Sequence, residues 1–215
     1  RIRIMNSKEK KFIKKKDKKK LVCLTAYSKS IAKILDNYCD LILVGDSMAN
    51  VLYGMKNTHK LTIETSINHA IAVQSGIKHS LLVVDMPKGT YKNISQAKKN
   101  AKLLIKKTKC HAVKIENNST NLNIVEALTK SNISVMGHIG YTPQFKTRFK
   151  VEGKDFKEQQ KLVNQAKKIE QAGAFSIVLE CVSKKASKKV TESLKIPTIG
   201  IGSSSECDGQ ILVSD

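Results

Sequence analysis

The stretch LILVGDS, residues 41–47, sets four aliphatic residues in a row and then stops on Gly45, Asp46 and Ser47. A strand with one wet face alternates polar and apolar residues. An unbroken aliphatic run closed by a turn residue reads instead as a strand buried on both faces, as in a parallel sheet covered by helices. The carboxylate of Asp46 therefore stands just past the end of a buried strand. Three other runs finish in a similar way: LLVVDMP (81–87) reaches Asp85, AVKIEN (112–117) reaches Glu116 and FSIVLEC (175–181) reaches Glu180. Four more, LVCLTAY (21–27), SVMGHIG (134–140), PTIGIGS (197–203) and ILVSD (211–215), bring the set to eight.

Amphipathic segments lie between most of them. In SIAKILDNY, Ile31, Ile34, Leu35 and Tyr38 recur at helical spacing behind a capping Ser30. In KLVNQAKKIEQAG, Leu162, Ala166, Ile169 and Ala172 share one face, and Gly173 is placed to end it. Eight short strands alternating with helices predict an α/β fold, a (β/α)8 TIM barrel, with a doubly wound open sheet as the alternative. A chain of 215 residues suits one such domain. Residues 1–20 read as a basic lead-in with a short helix in 8–20, Met5 reads as the start of the chain, and residues 21–215 read as the barrel. That barrel is expected to be C-terminally incomplete, lacking its last helix, because the sequence stops at the eighth strand. No hydrophobic segment follows the charged N-terminus as a signal peptide requires, and no apolar run nears the roughly 18 residues of a membrane helix. The five cysteines are odd in number and widely spaced, which fits reduced thiols in a cytoplasm and no zinc or redox motif.

The formal net charge is +21. A cluster of Lys14, Lys15, Lys16, Lys18, Lys19 and Lys20 could neutralise phosphates as a nucleic-acid arm. The plainer reading is global composition. Lysines recur on the predicted helix faces and are not interleaved with aromatic residues for base stacking, so the charge solvates the surface and favours small anionic substrates.

In a parallel barrel the reacting groups sit at the C-terminal ends of the strands, so Asp46, Asp85, Glu116 and Glu180 are expected to converge on one mouth. Any one of them alone reads as a helix cap or a loop charge. Four together repel unless a cation or proton relieves them, and hard oxygen ligands with room for water suit Mg²⁺ better than zinc. Strand alternation in AVKIEN turns Lys114 and Glu116 to one face and Val113 and Ile115 to the other, so an ammonium and a carboxylate enter the mouth together. They read either as a structural ion pair or as an anchor for a substrate anion beside a metal ligand. His138, near the end of the fifth run, reads as packed or catalytic. Gly200 and Gly202 would let backbone approach an anion.

These residues fall in stretches that resemble the ketopantoate hydroxymethyltransferase family and follow its order. They are LTAYS, LILVGDSMANVLYG, THKLTIETSINHAIAV, LLVVDMP, VKIEN, MGHIGYTPQ, VLECV, IPTIGIGS and DGQILV. The resemblance implies a barrel of the phosphoenolpyruvate/pyruvate type that binds Mg²⁺. It implies transfer of a hydroxymethyl group from 5,10-methylenetetrahydrofolate, the co-substrate, to α-ketoisovalerate, giving ketopantoate for pantothenate biosynthesis. By motif position, Asp46, Asp85 and Glu116 look like the metal site, and Asp46, Ser47, Asp85, Lys114 and His138 like the substrate contacts. Glu180 looks like the general base that removes the hydrogen on C3, leaving an enolate that the metal stabilises. A cytoplasmic homo-oligomer, often decameric in the family, with no membrane and no nucleic-acid partner, is implied as well. After Gln144 the stretch FKTRFKVEG is shorter than the family's loop and lacks its glycine pair, and Ser204 stands where a glycine is usual. A Mg²⁺-dependent lyase or mutase acting on another 2-oxo acid is the nearest enzymatic alternative. A basic nucleic-acid-binding protein is the alternative from another class.

Overall fold

The computed structural model describes residues 5–214; residues 1–4, ahead of the Met5 read as the start, and Asp215, the end of the expected eighth strand, lie outside the described residues. Eight parallel strands close into a barrel in chain order: β1 (Leu21–Thr25), β2 (Leu41–Val44), β3 (Leu81–Asp85), β4 (Ala112–Glu116), β5 (Val135–Gly140), β6 (Ser176–Glu180), β7 (Thr198–Ile201) and β8 (Gly209–Leu212). Helix α2 (Lys29–Leu35) follows β1, and α3 (Met48–Val51), a 3₁₀ turn at Thr58–Lys60 and α4 (Ile63–Gln74) follow β2. Helices α5 (Ile94–Thr108), α6 (Leu122–Thr129), α7 (Phe156–Gln171) and α8 (Lys184–Glu192) follow β3 to β6 in turn. Asn93, Asp155 and Ser183 cap α5, α7 and α8 with side-chain oxygens, each worth about 1 kcal/mol to its helix.

Alternation along each strand splits the apolar residues into two layers. Ile42, Val44, Leu82, Val84, Val113, Ile115, Ile177 and Leu179 belong to the layer packed against the helices, while Leu41, Leu43, Leu81, Val83, Ala112, Met136 and Val178 fill the barrel interior. Followed upward, the interior rows turn from apolar to polar and charged: Leu81, Val83 and Asp85; Ala112, Lys114 and Glu116; Met136 and His138; Val178 and Glu180. Register brings these ends side by side, since Asp85 pairs with Lys114 and Glu116 with His138.

The other end is closed by α1 (Ser7–Ile13), part of the lead-in. Its Phe12, 2% exposed, meets Phe175 edge to face with ring centroids 6.0 Å apart beneath the interior layer. Buried Glu9 accepts a hydrogen bond of 2.8 Å from Ser134 Oγ. Lys15 pairs with Asp40, Lys16 reaches Asp208 at 2.8 Å, and Lys20 donates to the carbonyls of Ser205 and Cys207 at 2.7 Å each. These three lysines of the basic cluster are built into the barrel floor.

Several local expectations need correction. Ser28, not Ser30, caps α2, and the helix ends at Leu35, so Tyr38 falls beyond it at 74% exposure. Ile34 is also exposed, because the buried face of so short a helix is carried by Ala32 with Ile31 and Leu35 half-buried beside it. Strand β8 begins two residues earlier than the run ILVSD, pairing Gly209 with Leu21. A Cβ on Gly209 would stand 2.5 Å from the Leu21 carbonyl oxygen, so this glycine is what lets β8 close against β1. Gly200 makes room for the Gln210 amide and Cys207, each about 3 Å from where its Cβ would be. Helix α7 behaves as read: Leu162, Ala166 and Ile169 are buried, and Gly173 ends the turn at φ +92°. All five cysteines are free and buried, and among the described residues no helix is long and apolar enough to cross a membrane.

Candidate active site

Asp46, Ser47, Asp85, Lys114, Glu116, His138 and Glu180 all line one cavity of about 420 Å³ at the C-terminal mouth. The turn after β2 supplies Asp46 and Ser47, and the ends of β3, β4, β5 and β6 supply the others. Leu43, Val178, Ile201, Ile211 and Val213 give the same cavity an apolar wall. Tyr141, Lys146 and Thr147, from the loop after β5, stand at its rim. That loop is fastened by Lys146, which donates to the Gly140 carbonyl and to Glu152 at 2.8 Å each.

The acids are tied to one another through neighbours. Asp46 donates its backbone N–H to Asp85 Oδ2 at 2.9 Å. Gln144 donates its side-chain amide to Asp46 Oδ2 at 2.8 Å and its backbone N–H to Glu116 Oε2 at 2.9 Å. Lys114 Nζ lies 2.9 Å from Asp85 Oδ1, an ion pair whose geometry leaves that buried oxygen without an aligned hydrogen bond. His138 Nε2 is 3.2 Å from Glu180 Oε2 and Nδ1 is 3.9 Å from Glu116 Oε1, and neither ring nitrogen is aligned for a hydrogen bond. Ser47 Oγ shares a hydrogen bond of 2.7 Å with the Tyr27 hydroxyl.

Burial sets the electrostatics. Burial and the charge of Asp85 push Asp46 up to about 6, against the pull of Lys114 and Gln144. Burial and Asp46 hold Glu116 well above the ordinary carboxylate range. Burial opposes the charge on Lys114, but Asp85, Asp46 and Glu116 outweigh it and its pKa is raised, so it stays an ammonium. Burial and Lys114 lower His138 in spite of Glu180, which leaves a neutral imidazole at neutral pH. Glu180 differs from the rest in being 22% exposed, with its carboxylate open to the cavity. The arrangement can hold an anion at Lys114, accept a proton at Glu180 and meet a hard cation with carboxylate oxygens. Among the described residues, no three His, Cys, Asp or Glu side chains are already gathered into a metal cage.

Three residues with a part in this network carried no assignment from sequence: Tyr27, Tyr91 and Gln144. The Tyr91 hydroxyl donates to Gln144 Oε1 at 2.5 Å. None is charged, and Gln144 lies in a loop, where polarity is the ordinary condition. The available signals were Gln144's place at the end of MGHIGYTPQ and Tyr27's place in LTAYS.

The profile of ketopantoate hydroxymethyltransferase matches residues 7–215. The chain belongs to the ketopantoate hydroxymethyltransferase family. A relative from Pelagibacter ubique (strain HTCC1062), a 3-methyl-2-oxobutanoate hydroxymethyltransferase, is 51% identical over 211 residues, which is 98% of this chain and 82% of the relative. Among solved structures, a 2,3-dimethylmalate lyase of the PEP mutase/isocitrate lyase superfamily superposes with a TM-score of 0.70 at 14% identity, over 97% of this chain and 81% of its own. A phosphonopyruvate hydrolase in complex with oxalate and Mg²⁺ gives 0.67 at 14% identity, over 91% and 72%. At such identities these two show the fold alone: the chain is a (β/α)8 TIM barrel.

Proposed function

We propose that this barrel transfers a hydroxymethyl group from 5,10-methylenetetrahydrofolate to α-ketoisovalerate through removal of the C3 proton. The observation that carries the reading is the pairing, in one cavity, of an ammonium and a proton-accepting carboxylate with an apolar wall of Leu43, Val178, Ile201, Ile211 and Val213. A branched 2-oxo acid has both requirements: an anionic head and an apolar tail. Lys114 binds the head and stays charged for the purpose. Glu180 takes the proton from C3, the C–H electron pair becomes the new C2–C3 double bond, and negative charge moves to the keto oxygen. Neutral His138 stands within 3.2 Å of Glu180 and can carry that proton onward. The carbon nucleophile then takes the one-carbon unit, water supplies the hydroxyl, and tetrahydrofolate leaves, so that keto acid, methylenetetrahydrofolate and water balance ketopantoate and tetrahydrofolate.

The acids fit a hard divalent cation. Mg²⁺ keeps most of its waters and takes one or two protein carboxylates beside substrate oxygens, so a ready-made cage of three is not what it needs. Asp85, whose Oδ1 is paired only with the Lys114 ammonium, lines the cavity with Asp46 and Glu116, and these three carboxylates are the ones that would hold the ion. Bound there, Mg²⁺ would supply Lewis-acid stabilisation of charge on the keto oxygen. The oxalate and Mg²⁺ held by the phosphonopyruvate hydrolase of the same fold support this choice. The test is product analysis with α-ketoisovalerate, 5,10-methylenetetrahydrofolate and Mg²⁺. Ketopantoate is expected; cleavage of another 2-oxo acid with no ketopantoate would give the site to a lyase.

A further inference from the structure

Gln144 is 2% exposed, and both ends of its side-chain amide are engaged. An amide has a direction: its oxygen only accepts and its nitrogen only donates. Tyr91 donates to Oε1 at 2.5 Å, while Nε2 donates to the Met86 carbonyl at 3.1 Å. Turning the amide over would set Oε1 against the Met86 carbonyl and the Asp46 carboxylate, so these two acceptors fix its direction, while the Tyr91 hydroxyl, which can donate or accept, holds its far end. The remaining Nε2 proton then meets Asp46 Oδ2 at 2.8 Å, and the backbone N–H of the same residue meets Glu116 Oε2 at 2.9 Å. One loop residue thus spans carboxylates from the turn after β2 and from β4, on either side of Asp85 on β3.

We infer that Gln144, anchored by Tyr91, is a positioning residue that holds Asp46 and Glu116 in a fixed relation before any ligand arrives. The inference rests on the reading of those two acids as cation ligands. Without a bridge, two buried carboxylates that repel each other would turn apart, and binding a cation would first have to bring them back. Neutral donors aimed at each acid prevent this without taking the cation's place, because an amide N–H cannot ligate. Partners of metal ligands typically change metal affinity by about 10- to 100-fold when removed.

The probe is Mg²⁺ titrated by calorimetry in the presence of α-ketoisovalerate, using the whole chain. Gln144→Met, similar in length but without the side-chain donor to Asp46, is expected to weaken Mg²⁺ binding about tenfold or more. Tyr91→Phe removes only the hydroxyl and is expected to weaken it less. The double variant should be no weaker than Gln144→Met alone, because Tyr91 acts through Gln144. A purely structural role would lower the melting temperature of the metal-free protein and leave Mg²⁺ affinity unchanged. Wild-type affinity in Gln144→Met, or a Tyr91→Phe loss that adds in full to it, overturns the inference while the function stands. Failure of the wild-type protein to bind Mg²⁺ with the keto acid overturns both.

Discussion

At the N-terminal end of the barrel, Lys16 meets Asp208 at 2.8 Å, and Asp36 accepts from the backbone N–H groups of Lys78, His79 and Ser80. At the C-terminal end, Asp85 Oδ1 and both ring nitrogens of His138 are buried without an aligned hydrogen bond. The same strands run through both ends, so the difference lies in what each end is for. Closed charge networks below hold the fold together. Above, Asp46, Asp85 and Glu116 crowd around one ammonium, Lys114, and on the proposed reading a substrate anion and a cation complete them.

Substitutions should therefore separate stability from chemistry according to the end they touch. The largest effect is expected from Glu180→Gln, which keeps size but cannot accept the proton. Exchange of the C3 hydrogen should fall by about 10² to 10⁴, equivalent to roughly 3–5 kcal/mol of barrier, while the melting temperature barely moves. Exchange at the wild-type rate would remove Glu180 as the base. Lys16→Met should do the reverse. It takes the ammonium from Asp208, which keeps the Thr198 N–H and hydroxyl as donors, and should cost about 2–3 kcal/mol in denaturant unfolding, while the folded protein binds keto acid as before.

A smaller effect of opposite sign is expected from Asp46→Asn. In the folded chain Asp46 titrates at about 6, above its ordinary value of 3.8, so the folded state holds the proton more tightly than the unfolded chain. That contribution is fully present below about pH 4 and is lost as pH rises through 6. With metal chelated, the Asn variant should therefore exceed the wild type by about 1–3 kcal/mol at pH 7.5, the gap opening between pH 4 and 6, while its Mg²⁺ affinity falls. A variant less stable than wild type at pH 7.5 would mean that the mouth is not strained.

The smallest effect tests the floor. Burial, with Lys8 nearby, lowers His111 to about 4 from 6.5, and its Nδ1 accepts from Leu82 N–H at 2.9 Å. The unfolded chain takes up this proton first, so stability is lost as pH falls from 6.5 to 4. His111→Asn keeps an acceptor without the titration and should flatten the decline in melting temperature over that window. An unchanged decline would assign it to other groups.

The contrast between the ends also explains what could be read from the sequence. Asp46, Asp85, Glu116 and Glu180 were legible because each closes an apolar run, and period-two alternation was enough to send Lys114 and Glu116 inward together. The floor was not legible. Phe12 and Glu9 sit in KEKKFIKKK, which reads as a polar arm, and their partners Phe175 and Ser134 are more than 120 residues away. Gln144 and Tyr91 were missed for a related reason: a neutral side chain gains its role from direction and contact, which spacing does not encode. The start of β8 was misplaced because Gly209 looks like a turn residue, whereas here the lack of a Cβ is what permits pairing with Leu21.

The claim beneath both ends of the comparison is that the charged mouth exists to take a proton from C3 of a branched 2-oxo acid. Incubating the wild-type protein with α-ketoisovalerate and Mg²⁺ in D₂O, without folate, and following the C3 proton by NMR tests it directly. The signal should disappear as deuterium enters, and it should persist when Mg²⁺ is chelated. A C3 signal that stays undiminished while calorimetry shows keto acid and Mg²⁺ both bound would contradict the account.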